Sequence, residues 1–223
     1  MKLSPKYPRT YHFPFSPGTT KDDKKAGPEL LSDIGSWELV ITEKLDGENT
    51  CLCPSGIYAR SHGAETRSPW SRNLWDPVDG LYWRIKATIG ESEALYGENL
   101  YGVHSIEYPG LHDYWHLIGV LDTDREMWYS WDEVGEFSEF LGVPRVPEIW
   151  RGQVKNLSEL QDLIEEIMTE PSAYGPTKEG VVVRKTADFR FDDFPRSVWK
   201  YVRAGHVQTD THWTKTWKKA CIK

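Results

Sequence analysis

The run EKLDGEN at residues 43–49 puts Lys44 at the end of an apolar strand sequence and directly before an Asp-Gly turn. An ammonium held partly out of water beneath such a turn is expected to titrate below its ordinary value of about 10.4, and the neutral amine so exposed attacks electrophiles. A surface lysine leaving a strand before an ordinary turn fits the same seven residues, so the segment needs partners. Glu98, in YGENLYG, lies between Gly-flanked aromatics where a carboxylate can accept hydrogen bonds from ribose hydroxyls. Glu179, in KEGVVVRK, stands at the mouth of an apolar strand. A hard carboxylate oxygen there can hold Mg²⁺ beside phosphates, since that ion keeps several waters and takes one or two protein ligands. Lys200, in WKYVR, offers a cation to an α-phosphate, where charge develops as the leaving group departs.

The elements that must position these groups are mostly strands. WELVITEK (37–44), TCLC and GIYARS have strand composition, with Pro54, Ser55 and Gly56 as a turn, which predicts an antiparallel meander. LYGENLYGVHSI and YWHLIGVLDTD read as strands around a loop at Pro109 and Gly110, and GVVVRK (180–185) and SVWKYVR (197–203) as two more. Helical spacing covers 79–90, 130–141 and 158–168, the last opened by a Ser158/Gln161 capping pattern. Prolines 5, 8, 14, 17 and 28 and the run KDDKK predict an irregular arm over residues 1–36. The main domain is then 37–203, followed by a short basic tail, 204–223. Strands outnumber helices without alternating with them, which indicates an α+β class.

In this order, EKLDGEN, ARS (59–61), YGENLYG, YWHLIGVLD, KEGVVVRK and WKYVR resemble motifs I, Ia, III, IIIa, IV and V of the covalent nucleotidyltransferases, the group of ATP-dependent RNA and DNA ligases and mRNA capping enzymes. EKLDGEN, GENLYGVHSIEY and KYVRAGHVQTDTHW are most similar to the stand-alone RNA ligases. The resemblance implies an antiparallel-sheet adenylyltransferase domain with no OB-fold domain. It also implies the reaction: Lys44 attacks the α-phosphorus of ATP, holds AMP through a phosphoamide bond and passes it to a 5′-phosphate, after which a 3′-hydroxyl displaces it. Lys200 is the implied catalytic cation, and Glu179 the ligand of Mg²⁺ or Mn²⁺. Glu43, Asn49, Arg60, Glu98 and Trp115 are the implied nucleotide contacts, with Trp115 stacking on adenine.

Two positions depart from the pattern. Motif V usually carries two lysines at alternate positions, but Val202 stands two residues after Lys200, which makes Lys185 or Arg203 the candidate for the missing cation. Gly119 stands where relatives often have an acidic residue. Nucleic-acid contacts are expected from Arg60, Arg203, Lys215, Lys218 and Lys219. The expected partners are RNA with 5′-phosphate and 3′-hydroxyl ends, DNA or hybrid nicks, and an end-processing kinase or phosphatase or an accessory domain on another chain. A DNA nick ligase, a capping-type guanylyltransferase, and an end-binding module that lost the chemistry are the alternatives.

Composition limits the setting. The chain has 223 residues, a net charge of −7 and three cysteines. It has no apolar run near the ~18 residues of a membrane helix, so a soluble, cytoplasmic protein is expected. The odd cysteine count, and the expectation that Cys51 and Cys53 point to opposite faces of one strand, argue against a disulfide framework. Eleven Trp and eleven Tyr suit base stacking, whereas the negative total opposes polyphosphate. The acidity is local: residues 91–170 carry 18 acidic side chains against 4 basic, and residues 196–223 carry 1 against 7. A nucleic-acid contact is therefore expected on one face.

Overall fold

Side chains on each long strand alternate between two destinations, and the architecture follows from that period of two. The computed structural model describes residues 6–60, 64–205 and 217–223. Strands β1 (Tyr11–His12), β2 (Leu39–Lys44), β3 (Glu48–Cys53), β4 (Gly56–Ala59), β5 (Glu93–Asn99), β6 (Trp115–Asp122), β7 (Met127–Trp128), β8 (Glu148–Gly152), β9 (Gly180–Lys185), β10 (Phe189–Arg190) and β11 (Val198–Val202) build two sheets. One has the order β1-β11-β9-β2-β8, the other β10-β7-β6-β5-β3-β4. Every pairing is antiparallel except that of β1 with β11. Helices α1 (Pro28–Leu31), α2 (Arg72–Trp75), α3 (Leu81–Ile85), α4 (Trp131–Leu141) and α5 (Leu157–Ile167) complete the α+β fold.

The buried residues fall into three clusters that define the layers. Leu39, Ile41, Val181, Val183 and Trp199 leave the first sheet on one side and pack with Phe13 of the arm and Leu160, Ile164 and Ile167 of α5. Leu52, Leu95, Trp115, Leu117 and Val120 leave the second sheet on its far side and pack with α2, α3 and α4. Between the sheets lie Cys51, Cys53, Tyr96, Leu121, Trp128, Phe194 and Val198, with Ile118 and Val182 against them. Asn49 has the parity of Cys51 and Cys53, Lys200 that of Val198, and Thr42 and Lys44 the parity opposite to Leu39 and Ile41, so all four face the space between the sheets. Cys51 and Cys53 share one cluster, so the expectation of opposite faces was wrong: residues two apart on a strand share a face.

Several expected boundaries moved. The arm is not wholly irregular, because β1 zips onto β11, with His12 opposite Lys200. The strand expected over 95–106 stops at Asn99, since the backbone N–H groups of Ser105 and Ile106 donate to Asp46 Oδ2 (2.7 and 2.9 Å) instead of to a strand. Asn156, not Ser158, caps α5: its side chain accepts from Glu159 N–H at 3.0 Å, while the Glu159 carboxylate accepts from Lys155 N–H at 2.6 Å. The helix expected over 79–90 shortens to α3 and a 3-10 turn at Lys86–Thr88, where the Thr88 hydroxyl donates to the Ile85 carbonyl. Ser130 and Glu133 form the capping box of α4. Among the described residues no helix is long and apolar enough to cross a membrane.

Candidate active site

A cavity of about 460 Å³ opens between the sheets, and the polar ends of the inner faces meet in it. Lys44 closes β2 there, with its Nζ 2.6 Å from Glu179 Oε2. Asn49 of β3 lies opposite Glu98 of β5 in the sheet register. Arg60, just after β4, and Lys200, on β11, complete the polar wall. The apolar walls come from opposite sheets: Ile118 on β6, Val182 on β9, and the rings of Trp128, Trp131, Phe189 and Phe194. Tyr7 and Thr10 of the arm close one side.

The Lys-Leu-Asp-Gly turn has a physical reason at each residue. Leu45 is buried in the core. Asp46 ties down the 105–106 segment through its carboxylate, and its own N–H donates to the Tyr108 hydroxyl at 2.9 Å. Gly47 N–H donates to Glu98 Oε1 at 3.2 Å, and a Cβ at Gly47 would come within 2.6 Å of the Asn99 carbonyl oxygen. Only glycine lets the turn approach β5 that closely. Glu179 is placed the same way, since a Cβ on Gly180 would collide with the Tyr201 carbonyl of the neighbouring strand.

Charges within the cavity set each other. Burial alone would lower the Lys44 ammonium, as the sequence led one to expect, but the carboxylates of Glu179, Glu98 and Asp46 outweigh it and raise its pKa. Burial pushes the Glu98 carboxyl up to about 7, opposed by Lys44 and assisted by Glu179 and Asp46. Lys200 moves down, through burial and the repulsion of Lys44 and Arg60. The donors suit a hard cation shared with a substrate: Glu179 and Glu98 are carboxylates, and no group of three or more His, Cys, Asp or Glu side chains poised to hold an ion exists among the described residues.

Strand parity separates the expected site residues. Lys44, Asn49, Arg60, Glu98 and Lys200 line the cavity; Glu179 is not in its lining but is bonded to Lys44. Glu43 contributes to the wall, but its carboxylate turns to the other face of β2 and accepts from Ala173 N–H at 2.8 Å. Trp115 is not in the cavity. It is fully buried on the far face of the second sheet, lies against Gly97, and its indole N–H donates to Thr50 Oγ1 at 2.9 Å. The aromatic reading fails because the inner face of β6 presents Ile118, three places on.

Lys185 is one residue out of phase with Arg184 and leaves β9 on the outer side, with its Nζ 3.6 Å from the Trp37 ring centroid. Arg184 is the inner cation, but its Nη2 donates to Tyr129 O at 3.0 Å and its guanidinium lies over Trp131 and Phe189. Arg203 lines a separate groove with Lys178 and Tyr201, so it does not replace the second motif V lysine in the cavity. Lys218 pairs with Glu107 at 2.7 Å, and Lys219 lies over Tyr101. The segment 217–223 thus straps the 101–111 loop, with Ala220 N–H donating to Tyr101 O and Lys223 N–H to Leu111 O. Lys215 lies outside the described residues, as does Ser61 of the ARS motif. Sequence reasoning missed Tyr7, Ile118 and Val182; counting by twos from Gly180 would have found Val182.

Trp115→Ala should lower stability by about 3–5 kcal/mol, the usual range for deleting a buried Trp, in denaturant unfolding. The folded fraction should keep its nucleoside affinity, while Ile118→Ala should weaken it. Equal loss of affinity in both variants would return Trp115 to the site.

The RNA ligase family model matches residues 37–202. The chain belongs to the RNA ligase family. Solved structures similar to it include Naegleria gruberi RNA ligase with pyrophosphate, at 18% identity and a TM-score of 0.54 over 90% of this chain and 61% of that one. A lysine-to-alanine variant of the same ligase with ATP and Mn aligns at 17% identity and a TM-score of 0.59, over 91% and 62%. An Aquifex aeolicus protein provisionally described as an ATP-dependent DNA ligase aligns at 18% identity and a TM-score of 0.55, over 89% and 50%. At these identities the likeness is one of fold, and the chain spans about three fifths of the length of the Naegleria structures. No curated protein matches it. An RNA ligase family domain built around this cavity, with no OB-fold barrel among its described residues, agrees with the sequence-based fold.

Proposed function

We propose that this chain is the adenylyltransferase unit of an ATP-dependent RNA ligase, acting on RNA with 5′-phosphate and 3′-hydroxyl ends. The observation that carries the proposal is the pairing of Lys44 with Glu179 at 2.6 Å, in a cavity that also presents Lys200 and Arg60. The ATP and manganese of the Naegleria structures lend the choice of nucleotide and metal support.

In this reading a base slides between Ile118 and Val182, which project from facing sheets. Glu98 accepts from the ribose hydroxyls, and Lys200 and Arg60 meet the phosphates. The Lys44 amine forms a nitrogen–phosphorus bond at the α-phosphorus as the bond to pyrophosphate breaks, with the electron pair leaving on pyrophosphate. Lys44 must first give up the proton that its carboxylate neighbours hold on it, so the ion pair with Glu179 has to loosen before attack. A divalent ion on Glu179 would supply positive charge to the phosphates. AMP then passes to a 5′-phosphate, and attack by a 3′-hydroxyl releases it. Positioning and charge stabilisation carry the rate, because little other covalent work falls to the protein.

The test is incubation of the intact protein with ATP labelled at its α-phosphate and Mg²⁺ or Mn²⁺, followed by denaturation. Acid-labile label on the protein, chased onto 5′-phosphorylated RNA, is expected; no label with ATP or GTP under either metal sinks the proposal.

Glu98 adds a pH dependence. Its folded-state pKa is raised to about 7, so ionising it costs stability that is lost progressively as pH climbs from about 4.5, the unfolded value, to about 7. The carboxylate form is the one that accepts from ribose. Adenosine, itself uncharged, should therefore bind more tightly at pH 8 than at pH 6. Glu98→Gln should flatten that titration in calorimetry, and an unchanged slope would remove Glu98 from the ribose.

A further inference from the structure

We propose that Asp23, on the N-terminal arm, is a positioning residue for Lys200, with His12 and Ser16 holding it in place. The inference rests on the ligase reading, in which Lys200 meets the reacting phosphate. Pairing of β1 with β11 sets His12 opposite Lys200, and Gly18 N–H extends the contact by donating to Val202 O at 2.8 Å. A chain of short contacts then runs back to the cavity. Val202 N–H donates to Ser16 Oγ at 3.0 Å, Ser16 Oγ lies 2.9 Å from His12 Nδ1, and His12 Nε2 lies 3.3 Å from Asp23 Oδ1. That same Asp23 oxygen is 3.7 Å from Lys200 Nζ. The other carboxylate oxygen accepts from Thr20 N–H and the Thr20 hydroxyl, both at 2.9 Å.

The protonation states agree with this chain. His12 is 1% exposed, and burial, reinforced by the charge of Lys200, brings it down to about 4. It is neutral at physiological pH; Nδ1 shares a hydrogen bond with the Ser16 hydroxyl, and Nε2 packs against Asp23 Oδ1 at 3.3 Å without a hydrogen bond between them. Burial works against ionisation of Asp23, but the Thr20 bonds, Lys200 and His12 prevail and hold it at about 2. Lys200 faces Asp23 and His12 from the arm, Lys44 from β2, Arg60 from the end of β4, and Glu179 from the start of β9. Two of these are like charges, and Glu179 is bonded to Lys44. Asp23 is left to hold the Lys200 charge. At 3.7 Å it anchors the ammonium without consuming its donors, which stay available to a phosphate.

The test uses the full chain and two readouts on the same samples. Lysyl-AMP formation is followed from pH 6 to 10, and the pH dependence of Lys200 acylation by an amine reagent is read by mass spectrometry. Asp23→Asn keeps an acceptor for Thr20. It should slow adenylylation about five-fold, the scale of a partly exposed ion pair, with kcat affected more than KM. Its alkaline limb and the Lys200 acylation midpoint should both move to lower pH, and Asp23→Glu should restore them. Adding Asp23→Asn to Lys200→Ala should cause no further loss, and Lys24→Ala, on the exposed side of the arm, should change neither readout. A labelled wild type with an unmoved Lys200 midpoint in Asp23→Asn, or additive losses in the double variant, overturns this inference alone. A wild type that takes no label at any pH overturns the ligase reading and this role with it.

Discussion

Lys44→Met should leave a folded protein that binds ATP and acquires no covalent label. The expected loss of lysyl-AMP formation is at least on the order of 10⁴-fold, as befits removal of a nucleophile that no neighbour can replace. Lys200 does not substitute for it, because it is anchored towards Asp23 on the arm side of the cavity. Arg60 keeps its charge and cannot present a neutral nitrogen. Folding should survive, because the methionine stem retains the packing at the strand end and the Lys44 side chain is one quarter exposed. Stability should drop by about 1–3 kcal/mol, since the Glu179 carboxylate, itself 7% exposed, loses its lysine partner. Intact-mass measurement after incubation with ATP and Mn²⁺, beside a thermal melt, checks both halves. An AMP adduct of normal yield on the variant would move the nucleophile to another residue.

The chemistry was more legible in the sequence than its surroundings, and strand parity explains why. Lys44, Glu98 and Glu179 sit at strand ends beside glycines or turns, and Lys200 interrupts the apolar run of β11, so each stands out as a charged residue in an apolar setting. Three of them line the cavity, and Glu179 is bonded to the lining residue Lys44. Trp115 and Lys185 carried equally suggestive residue types, but each falls on the face of its strand that leaves the cavity, and in β6 the aromatic signal came three residues before the inward position. Of the tail lysines expected to contact polyanion, Lys218 pairs with Glu107 and Lys219 lies over Tyr101. Least legible was the arm. Pro-rich, polar segments carry no periodicity, and nothing local shows that Tyr7 will reach the rings of Tyr96, Trp128 and Phe194 or that Asp23 will meet Lys200. Those contacts depend on the parallel pairing of β1 with β11, which is close in space and far apart in sequence. The negative total charge proved uninformative for the same kind of reason: four cations, Lys44, Arg60, Arg184 and Lys200, converge on one cavity, while acidic α4 and α5 pack behind the sheets.

Glu179→Gln should have two opposed effects on adenylylation, and their sizes decide the outcome. The amide removes the nearest negative charge from Lys44, whose pKa is raised over the lowering effect of burial chiefly by Glu179 and Glu98. The amine should then deprotonate at lower pH, and each unit of downward shift makes the neutral form about ten times more abundant on the acid side. Against this, the variant loses the hard oxygen donor that a divalent ion would use, and charge stabilisation of that kind is worth several kcal/mol, or roughly 10²–10³ in rate. The first effect acts only on the acid limb, which should move to lower pH, whereas the plateau rate, where the amine is already neutral, should fall by roughly 10²–10³-fold. Raising the Mn²⁺ concentration should recover part of the plateau if affinity for the ion is what was lost. Single-turnover label transfer measured from pH 6 to 11 at several Mn²⁺ concentrations separates the two effects. A plateau equal to wild type would remove Glu179 from the metal. A limb that stays in place would mean that the 2.6 Å ion pair has no hold on the protonation of Lys44.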